Sequence, residues 1–521
     1  MKKILFGVMV LTLSAALCAC GGGGKKGDSS GNSSSGETTV SGEFVFGLTQ
    51  EISDVDPHDD SDAATRSVLF NMYEGLVKPT NTGDIVPAVA ENYTVSDDAL
   101  IYTFTLRDGV KFSDGNPVTV GDIIYSYKRG AGIDHDFPLA DGETAKISAL
   151  SAISDITATD DKNIQFTLAA PDSEFIYNFT VAILEEANDA NQASDPIGVG
   201  PFKISELKTG EYLAVERNEN YWNADLDCIE KAKFKFIADA SAAYTELQAG
   251  TIDGLQYLTY DQTVDTKVAE QYDIVESTMM LVHGLFLNND YEPLKSPEVR
   301  QALNYAVNRD EINDMMFDGK SKLIQTHAYP TITAWYNADT ESTYTYDVAA
   351  AKELLKKGGY PDGFDLEITV PSNFTQHVDT AQIIKEELAQ IGVNVTLNRV
   401  EWEDWVANTY RGREYQATVI GFDISSLAPA TWYIRYYSSS SNNMCNFKSE
   451  EYDKLYDQAQ ATVDMDEKFK LYGQMQKILA DEGASVFIED PANLIAIKKG
   501  YTGFVTYPVS AIDLASIKVA E

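Results

Sequence analysis

The chain has 521 residues, of which 44% are hydrophobic and 11% aromatic, so it is long enough for a large core and at least two lobes. Its 80 acidic side chains outnumber its 40 Lys and Arg side chains, which gives a formal net charge of −40. Such a surface repels phosphate backbones and anionic headgroups, which argues against nucleic-acid binding and against direct adhesion to a membrane.

The N-terminal segment is predicted to direct and tether the protein rather than to fold. Two lysines precede an apolar stretch that is too short to span a bilayer with margin, as in a secretion signal. The following LCAC resembles the bacterial lipobox, which makes residues 1–19 a signal peptide and Cys20 the lipidated N-terminus. Residues 20–42, rich in Gly and Ser, are predicted to be a flexible linker. An ordinary signal peptide with incidental cysteines is the alternative.

This segment predicts an extracytoplasmic protein that its lipid anchors to a cell membrane. The CGGGG tether is typical of the outer face of a Gram-positive cell, and the periplasm is the alternative for a Gram-negative one. Such compartments permit disulfides, so Cys228 and Cys445 either pair or remain two buried free thiols.

Predicted strands dominate the chain after Glu43. The alternation in EFVFGLTQ (43–50) predicts a strand, and the spacing in RSVLFNMYEGLV (66–77) predicts a helix. In IYTFTLRDGVKFSDG (101–115), the pair Asp108-Gly109 predicts a hairpin turn between two strands.

The next elements carry clear start and turn signals. Thr119 and Asp122 form a capping box that predicts a helix through IIYSYKR (123–129). NIQFTLAAP (163–171) places alternate apolar residues on one face of a strand, and a further hairpin is predicted to turn at Thr209-Gly210.

The second half alternates helices with strands. Ser296-Pro297 predicts the start of one helix and Asp347 the start of another, which stops at Gly358-Gly359 before a strand. A third helix stops at Gly392 before a strand of alternating apolar residues. Helix then strand, twice over, predicts an α/β lobe with a mostly parallel or mixed sheet. The remaining predictions are two helices, a strand and an extended tail, at residues 450–463, 467–483, 485–489 and 500–512.

Catalytic motifs are missing from the sequence. HExxH, CxxC and GxSxG do not occur, and GKS at 319–321 lacks the P-loop glycine because position 314 is Asp. The acidic DVDPHDDSD (54–62) lacks the central Gly and the terminal Glu of an EF-hand. The histidines are scattered singly, at His58, His135, His283, His327 and His377. The sequence therefore predicts a binding protein with no cofactor rather than an enzyme.

Several segments together resemble the extracytoplasmic solute-binding proteins of ABC transporters, in the family that carries oligopeptides, dipeptides and sometimes nickel (family 5). The LRDGVKFSDG element is particularly specific, and the segments follow the family's order over almost the entire mature chain. They are LFNMYEGLV (69–77), YTFTLRDGVKFSDGNPVTVGDIIYSYKR (102–129), IGVGPFKI (197–204), RNENYW (217–222), SPEVRQALNYAVNRDEI (296–312), AAAKELLKKGGYPDGF (349–364) and AQIIKEELAQIGVNVTLNRVEW (381–402).

The resemblance implies an α/β, two-lobed fold of the type II periplasmic-binding-protein class, with mixed sheets and a domain inserted in the first lobe. Hinged lobes would close around a ligand and dock on a membrane permease with its ATPase subunits. The implied boundaries are 43–82, 196–282 and 494–521 for lobe I, 83–195 for the insert and 283–493 for lobe II.

The resemblance also suggests where a peptide would bind. Dipeptide binders of the family hold the ligand's α-amino group with an Asp in an Asp-Pro-Asp stretch, where this chain has Ala428-Pro429-Ala430. Asp423 is the nearby carboxylate that could substitute. The other predicted ligand-binding residues are aromatic, charged or hinge residues: Trp432, Tyr433, Arg435, Trp402, Trp405, His283, Asp59, Ser61 and Asp62.

A peptide receptor for import is the leading hypothesis. The alternatives for the same architecture are a nickel chelate, haem or an oligosaccharide as ligand, with His283 or His327 as possible metal contacts. A sensor or adhesin lipoprotein without transport is the alternative from another functional class.

Overall fold

The structure is a computed structural model that describes residues 42–59, 62–133, 145–424 and 426–520. The predicted signal peptide, Cys20 and the linker up to residue 41 lie outside the described residues, as does Ser61. Among the helices of these described ranges, none has the length and apolar character needed to cross a membrane.

Strands in the described part of the chain are numbered in chain order. They are β1 Phe44–Leu48, β2 Val77–Pro79, β3 Ile85–Pro87, β4 Ala90–Val95, β5 Ile101–Leu106, β6 Ile153–Ala158, β7 Asn163–Leu168, β8 Phe202–Lys208, β9 Tyr212–Arg217, β10 Lys231–Phe236, β11 Gly254–Leu258, β12 Tyr272–Thr278, β13 Leu281–Leu287, β14 Lys322–Leu323, β15 Asp365–Pro371, β16 Asn394–Val400, β17 Ala417–Asp423, β18 Val486–Asp490, β19 Ala492–Lys498, β20 Tyr501–Thr502 and β21 Lys518–Val519.

Helices are numbered in the same way. They are α1 Ala63–Leu69, α2 Val120–Ala131, α3 Ala240–Gln248, α4 Tyr260–Val264, α5 Thr266–Gln271, α6 Pro297–Ala306, α7 Arg309–Phe317, α8 Val348–Lys357, α9 Thr375–Ala389, α10 Trp402–Asp404, α11 Ala430–Tyr433, α12 Glu450–Ala461 and α13 Met465–Asp481, and a π-helix, Trp405–Arg411, continues α10.

The first large sheet has seven strands in the order β12-β19-β11-β1-β10-β9-β8. It is mixed, because β1 runs parallel to β10 and β11 while the other pairs are antiparallel. The predicted hairpin at Thr209-Gly210 is confirmed as the β8–β9 pair, with Gly210 at a φ of 75°. This sheet combines strands from the beginning, the middle and the end of the chain.

The second large sheet has six strands in the order β14-β18-β13-β17-β15-β16. Strand β15 runs parallel to both β16 and β17, and the remaining pairs are antiparallel, so the predicted mixed sheet is confirmed. Its helices start as predicted: the Ser296 and Asp347 side chains accept backbone N–H groups at the starts of α6 and α8. The helices and the sheet enclose an aliphatic core.

A third sheet contains the antiparallel strands β4-β5-β7-β6, against which α2 packs. The Thr119–Asp122 capping box of α2 is present as predicted. The hairpin predicted at Asp108-Gly109 is wrong. Strand β5 already has β4 and β7 on its two edges, so the chain leaves the sheet after Leu106 and makes an isolated bridge between Lys111 and Pro117.

The helix predicted over 66–77 is also only partly correct. Helix α1 ends at Leu69, and the chain then turns into β2 at Val77. Met72 and Tyr73 follow Leu69 outside the helix and are still buried, in a hydrophobic cluster with residues of β1, β9 and β10.

Two neighbouring connections join the seven-stranded sheet to the six-stranded sheet. One runs from β12 to β13 and the other from β18 to β19. The Met279 N–H donates to the Pro491 carbonyl at 2.8 Å, and the Leu281 N–H donates to the Asp490 carboxylate at 3.0 Å. Met280 has a φ of 54°, which few non-glycine residues adopt. The chain thus passes between the two large sheets in the few residues before β13 and in the single residue before β19.

Candidate functional site

A cavity of about 790 Å³ opens where the three sheets meet, which is within the size range of ligand pockets. One wall comes from the loops beside the seven-stranded sheet, one from the segment after β7, and one from the loop that follows β17. Its polar lining residues include Arg66, Glu74, Lys78, Asp172, Glu174, Tyr177, Tyr221, Ser426, Thr431, Tyr507 and Asp513. We call this space the cavity.

Glu74 anchors the first wall. Its carboxylate accepts the Tyr221 hydroxyl at 2.6 Å, the Trp222 indole N–H at 2.7 Å and the Lys78 ammonium at 2.9 Å. The Arg107 guanidinium covers the face of Trp222, 4.1 Å from its ring centroid. Glu74 and the Tyr221-Trp222 pair come from the LFNMYEGLV and RNENYW segments, so these two motifs build one wall together.

The C-terminal tail completes the first wall. Asn71 holds it by donating to the Ile512 carbonyl at 2.8 Å and accepting the Leu514 N–H at 2.9 Å. The intervening Asp513 lines the cavity and accepts the Tyr507 hydroxyl and the Ala515 N–H, both at 3.0 Å. Burial raises the pKa of the Asp513 carboxyl above its ordinary value.

Glu174 joins the second wall to the third. One oxygen of its carboxylate accepts the Lys468 ammonium at 2.9 Å and the Tyr472 hydroxyl at 2.6 Å, both from α13. The other oxygen accepts the Ala430 N–H at 2.9 Å, at the start of α11. The Glu174 and Lys468 side chains are each only 1% exposed, so this ion pair is fully buried.

The third wall is mainly apolar and contains Ile424, Leu427 and Ala428. It includes the place where the family pattern has Asp-Pro-Asp, so alanine methyl groups stand where carboxylates were expected. Among the described residues, none of the predicted ligand-binding side chains lines the cavity.

Trp432 and Tyr433 lie behind the third wall in an aromatic core. Trp432 is 2% exposed, and its indole N–H donates to the Ser426 carbonyl at 2.7 Å. Asp423 is exposed at the end of β17, and Arg435 lies over the Phe422 ring, 4.6 Å from its centroid. The predicted ligand-binding roles of these residues stay predictions.

Trp402 and Trp405 stack at the carboxyl end of β16, with ring centroids 5.2 Å apart and an interplanar angle of 7°. Trp405 is buried and donates to the Thr418 hydroxyl at 3.0 Å, whereas Trp402 is 41% exposed. Phe374 packs edge-on against Trp402. Trp405 thus belongs to the core and Trp402 to the surface, and the ligand-binding role of both residues stays a prediction.

The predicted acidic residues of the N-terminal region have structural partners. Asp59 forms an ion pair with Lys146, and Asp62 caps α1 by accepting the Thr65 N–H at 2.8 Å. In the part of the chain that the structure describes, no group of three or more His, Cys, Asp or Glu side chains is arranged to hold a metal ion. Cys228 and Cys445 are buried free thiols and do not form a disulfide with each other.

His283 is fully buried in β13 rather than facing the cavity. Its Nδ1 lies 3.4 Å from Glu489 Oε1, and its Nε2 lies 3.2 Å from His377 Nδ1. Burial lowers the pKa of His283 to about 4 and raises that of Glu489 to about 8, so both groups are uncharged near neutral pH. The contact is therefore a neutral hydrogen bond and not a salt bridge.

This burial predicts that stability falls as pH rises from about 6.5 to 8. Burial raises the pKa of Glu387 and Glu489 to about 8, so in this window the folded chain binds more protons than the unfolded chain. Each group then removes up to about 1.4 kcal/mol of unfolding free energy per pH unit. The buried histidines act in the opposite sense but only below their unfolded pKa of 6.5.

Urea unfolding at several pH values measures this slope. Glu489→Gln should make the slope shallower between pH 6.5 and 8, because a glutamine at this position has no proton to lose. An unchanged slope in that variant would show that Glu489 is already ionised in the folded state.

Comparison with known proteins gives a family and several relatives. The family described as bacterial extracellular solute-binding proteins, family 5 middle, matches residues 84–444. Heme-binding protein A of Haemophilus influenzae is 27% identical, over 84% of this chain and 85% of that protein. The dipeptide-binding protein of Escherichia coli is 25% identical, over 86% of this chain and 89% of that protein. The structure of DppA from Helicobacter pylori with the peptide STSA is similar at a TM-score of 0.71 and 26% identity, over 92% of this chain and 98% of that one.

Proposed function

The chain belongs to the bacterial extracellular solute-binding proteins of family 5, the extracytoplasmic receptors of ABC importers, and we propose that it binds peptides in the cavity. Proteins of this family bind substrates for transport and are not enzymes. The observation that carries the proposal is the cavity itself, because its size and its walls from three sheets suit a ligand enclosed on several sides.

The peptide assignment has two further supports. The relatives include a dipeptide-binding protein and a structure with a bound peptide, at 25% and 26% identity. The lining contains apolar groups as well as hydroxyl and carboxylate groups, which can receive peptide side chains and backbone N–H groups together.

We propose that the seven-stranded sheet forms lobe I, with residues 43–82, 196–282 and 494–521, and that the six-stranded sheet forms lobe II, with residues 283–493. The four-stranded sheet would belong to the insert at 83–195. The paired connections at β12–β13 and β18–β19 would act as the hinge, because only two short backbone segments link the two large sheets there. Ligand binding would then shift the lobes toward closure.

The remaining parts of the proposal concern the membrane. Lipid on Cys20 would keep the receptor at the outer membrane surface, and the closed receptor would deliver its ligand to a permease with ATPase subunits. The lipobox-like LCAC and the Gly- and Ser-rich residues that follow support the tether.

Thermal unfolding of the purified chain in the presence of ligand pools tests the ligand class. A pool of two- to eight-residue peptides at about 100 times its dissociation constant should raise the unfolding free energy by about 2.7 kcal/mol. Pools of haem, nickel chelates and oligosaccharides serve as comparisons. Stabilisation by one of these pools and not by peptides would reject the peptide proposal while leaving the family assignment intact.

A further inference from the structure

Carboxylates outnumber cations among the residues that line the cavity. The lining acids are Glu74, Asp172, Glu174 and Asp513, and the lining bases are Arg66 and Lys78. The excess lines a partly enclosed space, where water screens charge less than at the open surface.

Two of the four acids already have a cation. Glu74 is paired with Lys78 at 2.9 Å, and Glu174 is paired with Lys468, which stands behind the wall, also at 2.9 Å. Within the described ranges, no ion pair is found for Asp172 or Asp513. The remaining lining cation, Arg66, has an exposed side chain.

These two carboxylates stand on different walls. Asp172 follows β7 on the second wall and accepts the Glu174 N–H at 2.9 Å. Asp513 belongs to the C-terminal tail on the first wall, is 7% exposed, and is oriented by the Tyr507 hydroxyl at 3.0 Å. Each carboxylate therefore has a fixed position at the cavity without a direct ion-pair partner. The nearby cations, Lys468 for Asp172 and Lys78 for Asp513, act on them only at a distance, because they pair directly with Glu174 and Glu74.

A carboxylate held in this way is costly, because burial removes water without supplying a cation in direct contact. Burial raises the pKa of both Asp172 and Asp513, which is the physical sign of that cost. An ammonium or guanidinium group brought by a ligand would supply a cation in direct contact and form charge-assisted hydrogen bonds. An acidic ligand would add to the repulsion.

We propose that Asp172 and Asp513 make the cavity selective for ligands with cationic groups, and that the preferred peptides are those rich in lysine or arginine. This inference rests on the proposed function, since it assigns a substrate class to the same cavity. Asp172 would receive a cation on the second wall and Asp513 a cation on the first, so a ligand with two positive groups would satisfy both.

Calorimetric titration of the full chain with peptides of equal length tests the selectivity. The probes are Lys-Ala-Lys, the same peptide acetylated on both side-chain amines, and Glu-Ala-Glu, with spermidine as a cation that is not a peptide. We expect Lys-Ala-Lys to bind at least about tenfold more tightly than its acetylated form, since charge-assisted bonds exceed neutral ones by about that factor.

Variants then locate the selectivity. Asp172→Asn and Asp513→Asn should each weaken Lys-Ala-Lys binding by about tenfold and leave the acetylated peptide within about twofold. Asp97→Asn is the matched control, because Asp97 is exposed, lies outside the lining and changes the net charge equally. It should leave both affinities unchanged.

The outcomes separate this inference from the proposed function. Equal affinity for the basic and acetylated peptides would overturn the cation selectivity and leave a peptide receptor. Binding of spermidine that depends on Asp172 and Asp513, with no binding of any peptide, would support the selectivity and reject the peptide assignment. Tighter binding of Glu-Ala-Glu, or binding of none of the four probes, would overturn the selectivity.

Discussion

Replacing Glu174 with glutamine is expected to lower the free energy of unfolding by about 3–5 kcal/mol, the usual cost of breaking a buried ion pair from one side. The glutamine keeps the size of the side chain but leaves the Lys468 ammonium, whose side chain is 1% exposed, without its ion-pair partner. The hydrogen bonds from Tyr472 and from the Ala430 N–H also lose their charged acceptor. Urea unfolding monitored by tryptophan fluorescence measures the loss.

The position of Glu174 indicates that its replacement should affect ligand binding as well as stability. The residue follows β7 of the four-stranded sheet, while Lys468 and Tyr472 belong to α13 and Ala430 starts α11. The carboxylate therefore joins the second and third walls of the cavity at one point. Weakening that point should reduce ligand affinity together with stability.

Two variants check the interpretation. Lys468→Met combined with Glu174→Gln should recover most of the loss, because the methionine removes the ammonium that Glu174→Gln leaves buried without its ion-pair partner. Asp481→Asn breaks the exposed Lys477–Asp481 pair at 2.8 Å on the same helix and should cost less than about 1 kcal/mol. Equal effects of Glu174→Gln and Asp481→Asn would show that the Glu174 pair is not buried in solution.

Local signals predicted much of the fold. The caps at Thr119, Ser296 and Asp347 start helices where the sequence indicated, because a cap needs only a few neighbouring residues. The hairpin at Asp108-Gly109 failed for the opposite reason. Its turn residues fit a hairpin, but strand pairing depends on which edges of the preceding strand are free. Both edges of β5 are already occupied, one by β4, which precedes it in the chain, and the other by β7, which lies much later in the sequence.

The cavity was harder to predict than the fold. Glu74 lies in the LFNMYEGLV segment and Tyr221 in the RNENYW segment, but neither sequence indicates that the two side chains form a hydrogen bond. Asp172 and Asp513 lie far apart in sequence and in no motif, so only the folded chain brings them to one cavity. The aromatic residues near 432 were proposed as ligand contacts, whereas Trp432 satisfies its indole N–H internally and is buried.

The IGVGPFKI motif has a packing role that predicts a second large effect. A Cβ atom at Gly198 would stand 2.1 Å from the Met72 carbonyl oxygen, and one at Gly200 would stand 2.5 Å from the Asn71 carbonyl oxygen. Here the backbone of the motif lies directly on the LFNMYEGLV segment, and the Gly200 N–H donates to the Met72 carbonyl at 2.8 Å. Only glycine allows two backbones to approach this closely.

Gly198→Ala is therefore expected to destabilise the protein by about 3 kcal/mol or more, because the contact involves rigid backbone and not a movable side chain. The displaced segment carries Glu74, so ligand affinity should fall as well. Urea unfolding and calorimetry with the stabilising ligand pool measure the two effects.

Gly473→Ala provides the matched control within the same chain. Gly473 lies inside α13, and the nearest neighbour of an added Cβ atom is an Asn337 side-chain atom at an ordinary 3.7 Å. This substitution should stabilise the protein by about 0.5–1 kcal/mol, since alanine loses less backbone entropy than glycine in a helix. If Gly198→Ala were as well tolerated as Gly473→Ala, the two motif segments could not lie in backbone contact, and the wall that holds Glu74 would need another support.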